Sequence, residues 1–428
     1  MAAPVFKIIP TTQQYDWGKI GLESKVAQFA AASKIPGFTL DEDAPYAELW
    51  MGTHPSSPAR LTTGETLASH LAKHQELMGE KVVERFADAG AKEGNLPFLL
   101  KVLAIGKALS IQTHPDKKMA ERLHAEQPKI YKDPNHKPEM ALALTPFSAM
   151  CGFRPLPEIA TALRTVPELA ALIPKDIVSK FLSLPPDVSP TSPEAKAALK
   201  DVFSAIMTAP PSLFQPKLAN LVDRYACGEV DIEEWSVKEL VLTLNGQFPR
   251  DIGVFCAFML NYVRMHEGDA IFLAAGEPHA YVSGDIVECM ATSDNVIRAG
   301  LTPKLRDVPN LVAGLTYTAA EPKRHLVQPS PSSTSTSSPS RSTLYDPPIP
   351  EFAVLRVTLG AKEEEAHTPI TGPSVAVVTS GQGSVAWGGE KIEVSGGEVF
   401  FVGADTAVKF IAGDEAEGLV IHRAYVTV

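Results

Sequence analysis

Gln112 and His114 stand two residues apart, directly after the apolar run Leu96 to Leu109. A strand's period of two turns both side chains to one face, so they are a candidate pair of metal ligands. A carboxylate follows at Glu139, behind Pro138, and a second imidazole at His279, within Gly276-Glu277-Pro278-His279-Ala280-Tyr281 after another strand-like run. One amide oxygen, two imidazoles and a carboxylate suit a borderline cation such as zinc and leave room for water or substrate. A Gln-x-His spacing alone carries little information, because surface strands bear both residues freely.

These four residues must be brought together by strands far apart in sequence. Leu96 to Leu103 predicts a buried strand, and a lysine inside such a run is seldom buried without a partner. Lys101 is therefore either a site residue or an edge lysine with its head in water. Ala47 to Pro55 alternates as a strand and places Glu48 on an inner polar face or in solvent. In Gln14-Tyr15-Asp16-Trp17-Gly18, Trp17 is either a pocket wall or a core-edge residue. Thr66 to Phe86 reads as surface helices, Asp116 to Gln127 as a helix, and Pro134 to Glu139 as extended chain, since proline disfavours α geometry before it.

From Pro157 to Val263 the pattern changes to helices cut by prolines. Ser192 is an N-cap with Pro193 at the first helical position, and Leu199, Val202, Phe203 and Ile206 recur at helical spacing. Ser236 with Glu239 predicts a capping box, and Asn245-Gly246 the end of that helix. Residues 154–263 are thus expected to be a helical insertion between two β-rich parts, 1–153 and 264–327. The Ser/Thr/Pro-rich run 328–343 predicts a flexible loop. Residues 344–428 read as short strands with Gly-rich turns, a small sandwich or barrel. His367 and His422 show no ligand spacing there, so this part is expected to be structural and without metal.

The 428 residues allow two or three domains, and 45% hydrophobic content suits globular folding. A net charge of −11 argues against nucleic acid or an anionic membrane as partner. An anionic substrate would need a local basic pocket. Cys151, Cys227, Cys256 and Cys289 lack Cys-x-x-Cys spacing and read as buried small hydrophobes in a reducing compartment. The start, Met-Ala-Ala-Pro-Val-Phe-Lys, carries no secretion pattern. The longest apolar stretch, Ile252 to Val263, contains Asn261 and falls short of the roughly 20 residues of a membrane span. A cytosolic location is expected.

Several motifs, in order, resemble the type I mannose-6-phosphate isomerases (phosphomannose isomerases) of eukaryotes. They are Gln14 to Gly18, Ala47 to Pro55, Leu109-Ser110-Ile111-Gln112-Thr113-His114-Pro115-Asp116-Lys117, Asn135-His136-Lys137-Pro138-Glu139 and Glu277 to Tyr281. The longest runs from Glu288-Cys289-Met290-Ala291-Thr292-Ser293-Asp294 through Arg298 to Lys304. The resemblance spans nearly the whole chain and departs from the family mainly in the Ser/Thr/Pro run and parts of the helical block. It implies a mostly β fold, with two cupin-like (jelly-roll) barrels and a helical domain. One zinc ion per chain would be held by Gln112, His114, Glu139 and His279, the four residues the spacing selects.

The implied reaction interconverts mannose 6-phosphate and fructose 6-phosphate by proton transfer between C1 and C2 through an enediolate. It would supply mannose for GDP-mannose and glycan synthesis, and the implied state is a monomer. Arg298 would be the essential catalytic residue; otherwise an arginine so placed would be read as a surface ion pair. An always-charged planar donor fits both an enediolate and a phosphate. Trp17, Glu48, Lys101, Ser110, Tyr281, Asp294 and Lys304 form the expected substrate-binding set, with Ser110, Lys101 and Lys304 toward the phosphate. Lys137, Glu288, Asp294 and His54 are all eligible as proton shuttle; Lys137 and Glu288 are placed at the reacting carbons. Whether zinc polarises the carbonyl or mainly orients the sugar stays open.

Two other readings compete. A non-haem iron oxygenase would use two histidines and a carboxylate, but Gln112 would fill a position that oxygen chemistry needs open. A non-catalytic sugar-phosphate sensor could share the fold, though every expected ligand and basic position is filled.

Overall fold

In the computed structural model, which describes residues 2–33 and 35–428, Phe98–Ile105 is a strand buried at every position. Cover on both faces explains its nearly unbroken apolar run. Leu100, Val102 and Ala104 pack outward with Leu49, Met140 and Val287, and with Val375, Val377 and Phe401 of the C-terminal sheet. Leu103 and Ile105 point inward with Ala141, Ala149 and Ile286. Lys101 shares that inward face by the two-residue period.

The organising strand is His279–Ala291. It pairs antiparallel with Phe98–Ile105, Phe147–Phe153 and Glu139–Ala143, and at its first residue with Ile111–Thr113. Glu48–Met51 extends this sheet on one side and Leu260–Met265 on the other, within ten strands in all. The chain leaves the sheet after Phe153 and returns at Leu260, slightly before the expected boundary at Val263. Between these points lie the helices Leu156–Thr165, Pro193–Thr208, Pro211–Ala226 and Trp235–Gln247, among others. They stack on the sheet's outer face, where Ile111, Met150, Ala280 and Ile297 join their apolar cluster.

Ser192 caps its helix as expected, its hydroxyl accepting from Ala195 N–H at 3.2 Å, with proline in the first turn. The second cap reading is corrected. The 3-10 turn Ile232–Glu234 runs directly into Trp235–Gln247, so no extended residue precedes that helix and Ser236 lies inside its first turn. Gly246 is also helical. Cys151, Cys256 and Cys289 are buried, but Cys227, just beyond Pro211–Ala226, is exposed.

The C-terminal sheet has eleven strands, and two of them, Val5–Ile9 and Arg60–Leu61, come from the N-terminal part of the chain. Val5–Ile9 pairs with Val399–Val402 and Arg60–Leu61, so the first strand of the expected 1–153 unit builds the other sheet. Its alternation fits both sides: Val5 joins the inner C-terminal core, and Ile8 the layer between the sheets. The run 328–343 is also corrected, from free loop to docked segment. Ser330–Pro331 pairs with Ser342–Tyr345, and Thr336 N–H donates to Ala366 O and Thr368 N–H to Thr334 O, both at 2.9 Å. Backbone and hydroxyl hydrogen bonds hold it, and these leave no apolar periodicity to read.

Candidate metal centre and active site

Strand alternation and register bring the polar residues to one interior face. Glu48 and Trp50 alternate on one strand, opposite Leu103 and Lys101 of the next, and Lys101 stands opposite Glu288. Glu139 pairs with Met290, while Gln112 lies opposite both His279 and Arg298. Gly276 lets the chain turn into His279: at φ +75° a side chain would be strained and would meet Gly314 O at 2.8 Å. Its N–H donates to His114 O at 2.9 Å, tying the two histidine-bearing segments together. Above this floor opens a cavity of ≈ 670 Å³, a size suited to a small ligand.

At its base His114 Nε2 lies 3.3 Å from Glu139 Oε1, and His279 Nε2 lies 3.4 Å from Glu139 Oε2. The three ligand atoms fall within 4.8 Å of one another, the one such group found among the described residues. Each imidazole is held from behind, His114 Nδ1 by Asn295 O at 2.6 Å and His279 Nδ1 by Glu277 O at 3.0 Å. A carbonyl can only accept, so both Nδ1 atoms carry protons and both Nε2 lone pairs face the cluster. Those Nε2 atoms and Glu139 Oε2 are buried without a hydrogen-bond partner. Buried polar atoms without partners are costly, and this donor set fits a tetrahedral zinc site with a second shell already in place. Burial, reinforced by the Lys137 cation, pushes the His114 imidazole down to about 4, outweighing the opposite pull of Glu139. Burial raises the Glu139 carboxyl, but Lys137, 3.0 Å away, and the imidazoles pull it well below its ordinary value.

A second charged group lines the wall. Lys101, 5% exposed, places Nζ 3.2 Å from Glu288 Oε2 and 3.6 Å from Glu48 Oε2, with the Trp50 ring 4.8 Å away. The Trp50 indole N–H also donates to Glu48. Burial opposes the lysine's charge, yet the two carboxylates raise its basicity overall. The Glu288 carboxyl is pushed upward by burial and then by Glu139, against the pull of Lys101. Burial also raises the Tyr281 phenol, whose oxygen has no partner. Arg298 is half-buried, and burial lowers its guanidinium pKa; it makes no ion pair with any described residue. Asp294 is exposed, and the hydrogen bond from His54 holds its carboxyl below the usual range.

Three family models match in chain order. "Phosphomannose isomerase type I, catalytic domain" covers residues 5–156, the helical insertion domain 175–260, and the C-terminal model 342–390. The mannose-6-phosphate isomerase of Cryptococcus neoformans var. neoformans is 48% identical over 441 aligned residues, spanning 100% of both chains. The chain belongs to the type I phosphomannose isomerase family.

Another relative, the mannose-6-phosphate isomerase of Saccharomyces cerevisiae, is 43% identical over 434 residues, covering 100% of this chain and 99% of its own. Among solved phosphomannose isomerases, the apo mannose 6-phosphate isomerase of Salmonella typhimurium superposes with a TM-score of 0.80 at 30% identity, covering 100% of both chains. A zinc-bound holo mannose 6-phosphate isomerase gives 0.79 at 30% identity with the same coverage. The two sheets and the insertion are therefore the cupin-like architecture that the motifs imply.

Within this phosphomannose isomerase fold, Trp17, Glu48, Lys101, Ser110, Gln112, Lys137, Glu139, Tyr281, Glu288, Asp294, Arg298 and Lys304 all border the one cavity. His114 and His279 sit behind its floor, each 1% exposed. Lys101 is not an edge lysine, and Arg298 is not in a surface ion pair. Trp17 unites its two readings, since it borders the cavity and also packs against the inner core.

Sequence reasoning passed over Trp50, Lys107, Gln247 and Phe248, which also line the cavity. Trp50 was within reach, two residues past Glu48 on the same face. Gln247 and Phe248 end an insertion helix, and Gln247 Oε1 accepts from Ala108 N–H at 2.9 Å. Lys107 Nζ lies 4.5 Å from the centre of the Phe248 ring. No local pattern announces that contact.

Proposed function

We propose that the chain is a zinc-dependent aldose–ketose isomerase interconverting mannose 6-phosphate and fructose 6-phosphate. The observation that carries this reading is the trio of inward, unpartnered ligand atoms of His114, Glu139 and His279 beneath a cavity that holds an unpaired arginine. Gln112, His114, Glu139 and His279 would hold the ion. A bound zinc supplies Lewis-acid polarisation of a carbonyl or hydroxyl oxygen.

The chain's own residues account for the rest. Isomerisation removes the proton from the carbon beside the carbonyl; the electron pair forms the C1–C2 double bond, and charge develops on the oxygen. Arg298, always protonated and free of a carboxylate partner, faces that enediolate. Lys137 and Glu288 exchange the proton between C2 and C1. The upward push on Glu288 suits a group that must both take and give a proton near neutrality. Lys101 is held between Glu48 and Glu288, which favours a role in orienting them and leaves the phosphate to Ser110, Lys304 and the outer edge of Arg298. A phosphate of charge about −2 needs such local cations in an acidic protein.

In this reading residues 1–153 and 264–327 carry the chemistry, 154–263 closes one wall, and 344–428 supports the first barrel. The chain would act as a monomer in the cytosol and supply mannose 6-phosphate for GDP-mannose and glycan precursors. The test is a coupled assay for fructose 6-phosphate formed from mannose 6-phosphate. Zinc-replete protein should turn over and lose activity with chelator. A zinc-replete chain that makes no product refutes the proposal.

A further inference from the structure

Two segments carry residues of the metal site and its cavity. One, 133–139, carries Lys137 and Glu139; the other, 292–298, carries Asp294, Arg298 and the Asn295 carbonyl that holds His114. The Asp133 carboxylate gathers the bonds between them. Asp133 Oδ1 accepts from Ser293 Oγ at 2.8 Å, from Asn135 N–H at 3.0 Å and from Asn295 Nδ2 at 3.3 Å, and Oδ2 accepts from Asp294 N–H at 2.8 Å. The bonding continues around it: Asn295 Nδ2 also donates to Asp133 O at 2.7 Å and Asn135 O at 2.9 Å. Asn295 and Ser293 are buried.

An ionised carboxylate only accepts, and four donors converge on this one. Bonds to a charged acceptor are stronger and more directional than neutral ones. Their joint effect is to fix where the Asn295 backbone lies. Its carbonyl, 2.6 Å from His114 Nδ1, in turn sets the tautomer and aim of the Nε2 atom that faces Glu139. Asn135 adds neutral bonds between the same segments, its Nδ2 donating to Thr292 O at 2.9 Å and its carbonyl accepting from Ser293 Oγ at 3.1 Å, but the Asp133 carboxylate is the acceptor on which the most donors converge.

We infer that Asp133 is a positioning residue of the metal centre, acting through the Asn295 carbonyl on His114 and through its own loop on Glu139. Removing such an outer partner typically lowers metal affinity about 10- to 100-fold. This rests on the reading of His114 and Glu139 as zinc ligands, so wild-type zinc binding is measured alongside.

The experiment compares wild type, Asp133→Ala and the near-isosteric Asp133→Asn. Zinc dissociation constants come from chelator competition, and melting temperatures are taken for all three with zinc stripped. The inference expects Asp133→Ala to bind zinc at least about tenfold more weakly, with Asp133→Asn between it and wild type. Should the alanine variant fail to accumulate, the asparagine variant alone decides, because it keeps the shape and loses the charge and one acceptor. Variants that melt lower but bind zinc within twofold of wild type overturn the inference and leave the zinc site standing. A wild type that binds no zinc overturns the reading of the site itself.

Discussion

Replacing Lys101 by methionine probes how the cavity wall is held. The ammonium lies 3.2 Å from Glu288 and 3.6 Å from Glu48. At an effective dielectric of about 20, each contact is worth roughly 5 kcal/mol before desolvation. Burying the three charges takes back several kcal/mol per ion. What remains is the penalty for leaving carboxylates behind without their counter-ion, about 3–5 kcal/mol for one broken buried pair. Glu48 keeps the Trp50 indole N–H, so Glu288 bears most of the loss.

Adding Glu288→Gln to Lys101→Met removes that stranded charge and should recover about 1–3 kcal/mol, although Glu288→Gln alone should destabilise. Urea unfolding of the four proteins, followed by tryptophan fluorescence and circular dichroism, closes the double-mutant cycle. A Lys101→Met loss below about 1 kcal/mol would be that of a solvated surface pair. That result, or a second substitution that only adds its own loss, would refute the account of the wall.

His279→Ala should remove most bound zinc, because the preformed geometry holds the ion; undiminished zinc by elemental analysis would exclude His279 as a ligand. Lys137→Ala and Glu288→Ala should each slow exchange of the substrate's C2 proton with solvent by about 10²-fold or more. Normal exchange in both, read by NMR in deuterated water, would dismiss the pair as shuttle. Arg298→Lys keeps the charge but loses the planar fork, and kcat/KM should fall by about 10²-fold or more; steady-state kinetics showing a loss under threefold would mean that charge alone suffices. Burial, then Arg356, pushes the His422 imidazole down to about 3, so the folded protein keeps it neutral while the unfolded chain takes up a proton below about pH 6.5. Its contribution is complete above that pH and declines by up to about 1.4 kcal/mol per unit as pH falls toward the folded value. Urea midpoints at pH 7 and pH 5 should differ less in His422→Gln than in wild type, and an unchanged difference would assign the acid sensitivity to other groups.

The floor of the site was legible because its residues sit in short motifs with strand alternation, and the period of two put Gln112 and His114 on one face before any pairing was known. The helical insertion was legible through prolines and caps, since Ser192 and Pro193 act locally. What sequence could not supply was anything set by contacts across hundreds of residues. The wall formed by Gln247 and Phe248 depends on how the insertion docks, and the docking of 328–343 rests on backbone hydrogen bonds that leave no mark on composition. The expected cap at Ser236 failed because the preceding 3-10 turn feeds the helix, which outweighs a weak propensity. Assigning Val5–Ile9 to the nearer barrel failed for a similar reason: alternation shows that a strand has two packed faces, not which sheet accepts it.

That first strand bears on how the polypeptide can be handled and made. Lys7 and Glu398, 391 residues apart, meet in an ion pair at 2.5 Å along a seam where early chain completes a sheet made almost entirely of late chain. A cut within 328–343 would therefore leave two fragments, one with an orphan strand and the other with a gap of matching shape. During synthesis the seam cannot close until Val399–Val402 has left the ribosome. Pairing over so long a separation is slow to form, so this step should come late in folding, and adding a peptide of residues 2–12 to a fragment that lacks them is the natural way to look for it.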